Sequence, residues 1–100
     1  MSMLQEIRAK RDEITALGAE YGYFNFRIFG SMARGEADDQ SDIDLLVDYH
    51  TPRDPDKLGL AGMDLDEKLS KLLGRKVDLV VAQNLKPHYA RFILPEARIL

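Results

Sequence analysis

The sequence predicts an α/β (α+β) fold in which helices pack on a small mixed β-sheet. Apolar residues recur at helical spacing in three long segments, and three short β-prone runs lie between these segments. The chain has 100 residues, which suits one small domain. No linker, internal repeat or low-complexity tract divides it. We therefore predict a single domain over residues 1–100.

The amino-terminal segment predicts an amphipathic helix over about residues 3–20. Charged residues cover most of the surface that the apolar positions leave. The apolar positions at helical spacing are Leu4, Ile7, Ile14 and Leu17. Gly18 or Gly22 is expected to end this helix, because glycine adopts the left-handed conformation that follows many helices.

Two strands enclose a short helix and a loop in the next part of the chain. Residues 23–29 are aromatic or β-prone, and the side chains of Phe24, Phe26 and Ile28 are expected to share one face of this strand. Met32, Ala33 and Arg34, which follow Ser31, look like the opening of a short helix. Residues 35–40 are small, acidic and polar, which indicates a loop, and residues 43–49 predict the second strand.

A second long helix and a third strand follow. Asp54 and Pro55 supply an N-cap and a first-turn residue, and leucines continue at helical spacing until Gly74. These signals predict a helix over about 55–73. Residues 77–81 are apolar except for Asp78, and they predict a short strand.

The last predicted element is a helix over about residues 84–94. Tyr89, Phe92 and Ile93 form its apolar side. Pro95 is expected to kink or end the helix, because proline lacks the backbone N–H that the next turn needs.

Composition and charge exclude several classes of protein. Hydrophobic residues make up 45% of the chain and charged residues 31%, as in an ordinary soluble globular protein. No apolar run approaches the roughly 20 residues that cross a bilayer, and the amino terminus lacks an apolar signal core. We therefore expect a cytoplasmic protein with no membrane role. The net charge of −3 predicts no broad electropositive surface, so direct nucleic-acid binding is not expected.

The most informative feature of the chain is the pattern G-S-x10-D-x-D. It comprises Gly30, Ser31, Asp42 and Asp44, and a third acid, Asp78, follows in V-D-L-V. Residues two apart in a strand point to the same face, so the paired acids share one surface while their apolar neighbours face a core. Asp78 projects in the same manner between two apolar residues. It would meet the pair if the two strands are neighbours.

Three converging carboxylates indicate a metal site. They would repel one another and be partly protonated unless a cation held them. The chain has no cysteine, so any metal must be bound by oxygen or imidazole, and carboxylate oxygens favour Mg²⁺ or Mn²⁺. Two such ions can clamp the attacking and leaving oxygens of a displacement at phosphorus. The predicted chemistry is phosphoryl or nucleotidyl transfer.

The residues at the glycine-serine pair suit a phosphate chain. Gly30 lets the backbone approach a phosphate with no Cβ in the way, and Ser31 offers a hydroxyl and a backbone N–H. Arg34, one helical turn beyond Ser31, is placed to reach a β- or γ-phosphate oxygen. The competing interpretations are a turn with an ordinary N-cap and an arginine that is merely solvated.

Other polar residues are given structural interpretations. Asp48 lies on the face of the paired acids but farther along, and it is predicted to be a bystander. Ser41 is expected to cap or brace the turn before the acids. His50 and His88 lack companions at metal-ligand spacing and are predicted to be surface or half-buried residues. Core and strand packing explains the tyrosines, which are Tyr21, Tyr23, Tyr49 and Tyr89.

The segments G-S-M-A-R-G, S-D-I-D-L-L-V and V-D-L-V resemble the minimal nucleotidyltransferases of the DNA polymerase β superfamily. The resemblance covers about residues 29–81. It implies the polymerase-β-type nucleotidyltransferase fold, in which Gly30 and Ser31 bind the triphosphate and Asp42 and Asp44 hold two Mg²⁺ ions. Asp78 would complete the site of the ion that activates the acceptor hydroxyl. Such proteins transfer a nucleoside monophosphate from a nucleoside triphosphate and release pyrophosphate.

Members this short resemble the antitoxin half of HEPN/MNT toxin–antitoxin modules. The resemblance implies a hetero-oligomer with an all-helical HEPN-type ribonuclease toxin, and transfer of AMP from ATP to a tyrosine of that toxin. Two alternatives stay open. The chain would neutralise a toxin by binding alone, or it would be a nucleotidyltransferase subunit that modifies a small molecule or RNA.

Overall fold

The fold is a four-stranded mixed sheet with helices packed against it. The computed structural model describes the backbone of residues 2–49 and 55–100 and the side chains of residues 2–49 and 62–100. Asp54, the predicted N-cap, and His50 lie outside the described residues. The helices are α1 (Met3–Ala9), α2 (Arg11–Glu20), α3 (Ser31–Arg34), α4 (Pro55–Leu73) and α5 (Pro87–Glu96), and residues Ala82–Asn84 form a 3₁₀ turn. The strands are β1 (Tyr23–Phe29), β2 (Ile43–Tyr49), β3 (Val77–Val81) and β4 (Arg98–Ile99).

The sheet has the order β3-β2-β1-β4. β1 runs antiparallel to both β2 and β4, whereas β2 and β3 are parallel. Parallel neighbours need a long crossover, which α4 provides. The first three strands begin and end at the predicted residues, but β4 was not predicted because two residues carry no readable periodicity.

The amino-terminal prediction of one continuous helix is wrong. The chain breaks at Lys10, whose φ of −103° and ψ of 11° leave the helical region and separate α1 from α2. Gly18 lies inside α2, where a Cβ would collide with the ring of Phe26. Gly22, with φ of 83°, follows the end of α2, so the second of the two predicted terminators is the one used.

The predicted face of β1 is also wrong at its first residues. Asn25 has a positive φ of 57°, and the pairing of β1 with β2 shifts between Phe24 and Arg27. Such a bulge inserts one extra residue and reverses the alternation on one side of it. Tyr23 is therefore buried beside Phe26, and Phe24 is exposed.

One face of the sheet carries the hydrophobic core. Ile43, Leu45 and Val47 of β2 pack there with Ile14 of α2 and with Leu65 and Leu69 of α4, and all of these side chains are buried. Alternation along β2 then puts the polar side chains of this strand on the opposite face. No helix in the described part of the chain is long and apolar enough to cross a membrane.

The carboxy-terminal helix begins later than predicted. Residues 82–84 form the 3₁₀ turn, and α5 starts at Pro87, where proline suits the first helical turn. The helix ends one residue after Pro95. All of α5 is described and none of it is buried, so the core packing expected for Tyr89 is wrong. Tyr89 and Phe92 are 56% and 64% exposed.

Candidate active site

Adjacent strands bring the predicted acids to one face of the sheet. β2 and β3 pair in parallel with Asp44 opposite Asp78, so their backbones are about 4.8 Å apart. Asp42 lies two residues before Asp44, at the entrance to β2. The apolar neighbours Ile43 and Val77 are buried on the other face. The predicted convergence of β2 and β3 is thus present in the backbone.

The electrostatics of Asp44 reflect this crowding. Burial raises the pKa of Asp44, and the charges of Asp78 and Asp42 raise it further, while Arg34 acts in the opposite direction. A cation nearby would stabilise the ionised form of this carboxylate, which its two acidic neighbours destabilise.

A lysine lies between two of the acids. Lys76 Nζ is 3.8 Å from Asp42 Oδ2 and 3.7 Å from Asp78 Oδ1. Lys76 was not predicted as part of the site. The signal was available, because Lys76 lies two residues before Asp78 and so points to the same side of the extended chain.

The acids suit a hard divalent cation by donor type, but their side chains do not already form a metal cluster. Among residues 2–49 and 62–100, no group of three or more acidic, histidine or cysteine side chains is arranged to hold a metal ion. Two of the three carboxylates already flank a positive charge, that of Lys76. All donors are carboxylate oxygens, the class that Mg²⁺ binds. The metal-ligand role of Asp42, Asp44 and Asp78 stays a prediction.

Gly30 lies directly against Asp44. Its φ of +74° belongs to the region that glycine adopts readily, and a Cβ on Gly30 would clash with Asp44 Oδ2. The glycine therefore lets the chain pass close to the acid while leaving β1. The contact brings the glycine-serine part of the predicted motif next to Asp44. Ser31 follows Gly30 as the first residue of α3.

Arg34 and Gly30 both contact a residue that sequence analysis missed. The N–H of Gly30 donates to Glu96 Oε1 at 2.9 Å, and Arg34 Nη1 donates to Glu96 Oε2 at 3.1 Å. Arg34 Nε also donates to Glu36 Oε2 at 2.9 Å. Glu36 and then Glu96 raise the pKa of Arg34. Nothing in the sequence signals Glu96, because the pairing of β4 with β1 brings it there from 66 residues away.

Hydrogen bonds fix the loop before the paired acids. Ser41 Oγ accepts from the N–H of Asp38 at 2.9 Å and donates to Asp38 Oδ1 at 3.1 Å. Arg75 Nη1 donates to the carbonyl oxygens of Asp38 and Ser41 at 2.7 and 2.8 Å. The N–H of Gln40 and the hydroxyl of Ser41 lower the pKa of Asp38. Ser41 braces the turn as predicted.

Asp48 is engaged in structural contacts. Its carboxylate accepts from Arg27 Nη2 at 3.0 Å and from Asn25 Nδ2 at 2.8 Å. Both partners lie on β1, at the bulge. The interpretation of Asp48 as a bystander agrees with these contacts.

A further acid, Asp66 of α4, supports the edge of β3. The N–H of Leu79 donates to the carboxylate of Asp66, and the N–H of Val77 donates to Ser70 Oγ at 3.0 Å. Asp66 and Ser70 are one helical turn apart, so α4 satisfies alternate N–H groups of the edge strand. Burial, followed by the charge of Asp78, raises the pKa of Asp66 to about 6. Among the described residues, nothing hydrogen-bonds to its buried Oδ1.

Acids on two parallel strands, beside a strand-to-helix turn that begins with glycine, define a class of phosphate-transferring proteins with a small mixed sheet. The profile of the Nucleotidyltransferase domain family matches residues 14–100. The chain therefore belongs to the nucleotidyltransferase domain family.

Named relatives agree with this family. The chain is 40% identical over 80 residues to the protein adenylyltransferase MntA of Thermococcus cleftensis, covering 80% of this chain and 77% of that one. A solved structure described as a provisional minimal nucleotidyltransferase superposes with a TM-score of 0.80 at 39% identity, covering 97% of this chain and 95% of that one. The predicted fold class is confirmed.

A more distant structural neighbour is a complex of two proteins. It contains a tri-AMPylated HEPN toxin of Shewanella oneidensis and an MNT antitoxin. The TM-score is 0.66 at 20% identity, covering 92% of this chain and 69% of that one. At this identity the likeness shows the fold alone.

Proposed function

We propose that this protein is an Mg²⁺-dependent antitoxin that transfers AMP from ATP to a tyrosine of a HEPN-type ribonuclease toxin. The observation that carries the proposal is the register of the parallel strands, which sets Asp44 opposite Asp78 while Gly30 lies against Asp44. The names of the adenylyltransferase relative and of the toxin–antitoxin neighbour support the donor and the partner.

Each residue of the motif has a role in this proposal. Gly30 and Ser31 bind the triphosphate through backbone N–H groups and the serine hydroxyl, and Arg34 binds an outer phosphate oxygen. Asp42, Asp44 and Asp78 would hold Mg²⁺, which when bound neutralises the phosphate charge and favours ionisation of the acceptor hydroxyl.

The proposed reaction is a displacement at the α-phosphorus of ATP, in which one bond to phosphorus forms and one breaks. The tyrosine oxygen forms a bond to the α-phosphorus of ATP, and the bond from that phosphorus to the oxygen bridging to the β-phosphate breaks. AMP stays on the tyrosine, pyrophosphate leaves with the bonding electrons, and the phenol proton is released to solvent.

The carboxy-terminal surface supports a protein partner. Tyr89, Phe92 and Leu94 of α5 are exposed, and Ile99 of β4 is 77% exposed. Tyr89 and Phe92 are three residues apart and so share one side of α5, and exposed apolar patches are typical of protein-binding surfaces. The same helix ends at Glu96, which contacts Gly30, so a partner bound there would lie beside the proposed catalytic face.

The deciding experiment uses ATP labelled in its α-phosphate. The protein is incubated with this ATP, Mg²⁺ and the product of the adjacent gene, which is the candidate toxin. We expect label on the toxin, no label with Asp42→Ala, and label with Asp48→Asn, which alters an acid of the same strand face outside the proposed site. The labelled residue is then identified by mass spectrometry, and a toxin lacking that tyrosine should accept none.

The alternatives predict other results. Neutralisation of the toxin by Asp42→Ala/Asp44→Ala, with no transfer by the native protein, would establish an antitoxin that acts by binding alone. Label on RNA or on a small molecule would establish a nucleotidyltransferase subunit with a different acceptor. If the native protein binds no Mg·ATP at millimolar concentration, the proposed active site is wrong.

A further inference from the structure

A carboxylate of the protein lies where the proposed function places a phosphate. Glu96 Oε1 accepts from the N–H of Gly30 at 2.9 Å and from Arg34 Nη1 at 3.3 Å, and Glu96 Oε2 accepts from Arg34 Nη1 at 3.1 Å. Glu96 thus engages two of the groups that the motif assigns to the triphosphate. A carboxylate and a phosphate oxygen are equivalent acceptors for a backbone N–H and a guanidinium.

The position of Glu96 is electrostatically costly for the acids nearby. The charge of Glu96 contributes to raising the pKa of Asp44. A fourth negative group close to Asp44 therefore adds to the repulsion that Asp42 and Asp78 already cause. The local attraction of Gly30 and Arg34 holds Glu96 there.

The fold makes Glu96 replaceable without disturbing the core. Glu96 is the last residue of α5, and its side chain is 28% exposed. Its carboxylate is joined to the backbone by three rotatable bonds, so it can move to solvent while α5 stays in place.

We propose that Glu96 is an internal competitor for the nucleotide: it occupies the anion site formed by Gly30 and Arg34 in the free protein and leaves it when a triphosphate binds. The inference rests on the proposed nucleotide-binding function and adds that Glu96 lowers the affinity of the protein for the triphosphate. A protein with Glu96 in the site cannot place a phosphate oxygen on the same donors. Its apparent affinity for the nucleotide is the intrinsic affinity multiplied by the fraction of molecules in which Glu96 has left the site.

A bracing role for Glu96 predicts the opposite result. If Glu96 only orients Arg34 and Gly30 for the nucleotide, its removal weakens ATP binding. If Glu96 competes, its removal strengthens binding. The sign of the change in affinity therefore separates the two roles.

The test compares Glu96→Gln with Glu36→Gln. Both substitutions remove one negative charge from a partner of Arg34, but Glu36 does not contact Gly30 in the hydrogen bonds described. The dissociation constant for Mg·ATP is measured by isothermal titration calorimetry. We expect Glu96→Gln to lower it by about threefold to tenfold, as when the competing state holds about two thirds to nine tenths of the molecules. Glu36→Gln should change it less than about twofold.

A second variant, Glu96→Ala, removes the hydrogen-bond acceptor as well as the charge and should bind ATP at least as tightly as Glu96→Gln. Melting temperatures by circular dichroism establish that each variant is folded at the temperature of the titration. Unchanged or weaker binding by either Glu96 variant, while the native protein binds Mg·ATP, overturns this inference and leaves the proposed function intact. Absence of binding by all of the proteins overturns both.

Discussion

At the scale of single residues, Gly30 is subject to two separate constraints. Its positive φ disfavours any side chain, and its contact with Asp44 leaves no space for a Cβ. Gly35 has the same φ of +74°, but a Cβ there would meet nothing within 4 Å. The ψ angles differ, at −154° for Gly30 and 20° for Gly35, so backbone strain from a side chain is also larger at Gly30.

Gly30→Ala should reduce AMP transfer strongly, whereas Gly35→Ala should not. Both substitutions are expected to lower the free energy of unfolding by about 1–3 kcal/mol through backbone strain. Only Gly30→Ala also displaces the Asp44 carboxylate. Urea denaturation and the labelled-ATP assay measure the two effects, and equal loss of activity in both variants would contradict the argument.

Asp44 and Asp48 give a second residue-level comparison, since both lie on the polar face of β2. Asp44→Asn should lower the rate of transfer by at least about 100-fold, because a ligand of the proposed metal site is lost. Asp48→Asn weakens an ion pair with Arg27 and should change the rate by less than about tenfold. Initial rates with labelled ATP test this. Comparable rates for the two variants would remove Asp44 from the site.

Much of the site was predictable at this scale, and the missing part has a physical explanation. The spacing of Asp42 and Asp44 predicts that strand geometry puts both acids on one surface. The same alternation predicts that Lys76, two residues before Asp78, lies on the side of the chain that carries this acid. Glu96 was not predictable, because hydrogen bonding between distant segments places it at Gly30 and no local periodicity reports on such a contact.

At the scale of elements, the attachment of α4 to β3 couples an acid to the strand that carries Asp78. The N–H of Leu79, the residue after Asp78, donates to the carboxylate of Asp66, whose pKa is raised to about 6. A group whose pKa is higher in the folded state binds protons more tightly there. Its stabilising effect is complete below the unfolded pKa of about 3.9 and is lost as the pH rises through about 6.

In the native protein, ionisation of Asp66 should lower the free energy of unfolding as the pH rises from about 4 to about 6. Asp66→Asn cannot ionise at this position and should not show that decrease. We expect the melting temperature of the native protein, relative to Asp66→Asn, to fall across this window. Asp64→Asn is the control on the same helix. Tyr21 lowers the pKa of Asp64, so the native protein should instead lose its advantage over Asp64→Asn as the pH falls. Circular dichroism melts at each pH measure both trends, and a flat difference for Asp66→Asn would contradict the pKa assignment.

The elements themselves were predicted where their patterns are local. β1, β2, β3 and α4 have the predicted bounds, because each is a run of at least five β-prone or helix-patterned residues with turn residues beside it. The break at Lys10 and the bulge at Asn25 interrupt patterns that otherwise continue, so periodicity did not reveal them. β4 exists because β1 offers it a pairing edge.

At the scale of the whole molecule, the helix α5 is present as predicted apart from its bounds, but the core packing predicted for Tyr89 is wrong. Periodicity identified an apolar side of this helix, but the side chains Tyr89 and Phe92 are exposed and not in the core. Within the described part of the chain nothing covers these two side chains, and an exposed apolar helix side is typical of a surface that binds another protein. The proposed toxin supplies such a partner.

Phe92→Ser should weaken the complex with the HEPN-type toxin by about 10-fold to 100-fold, as expected for loss of an aromatic anchor at an interface. Met63→Ser, which alters a 71% exposed residue of α4, is the control and should leave the affinity within about twofold. Both side chains are exposed in the free protein, so neither change should alter folding or the dissociation constant for Mg·ATP. Affinity for the toxin is measured by biolayer interferometry. If Phe92→Ser binds the toxin as the native protein does, α5 is not the docking surface, and AMP transfer by that variant would show that the acceptor approaches the acids from another side.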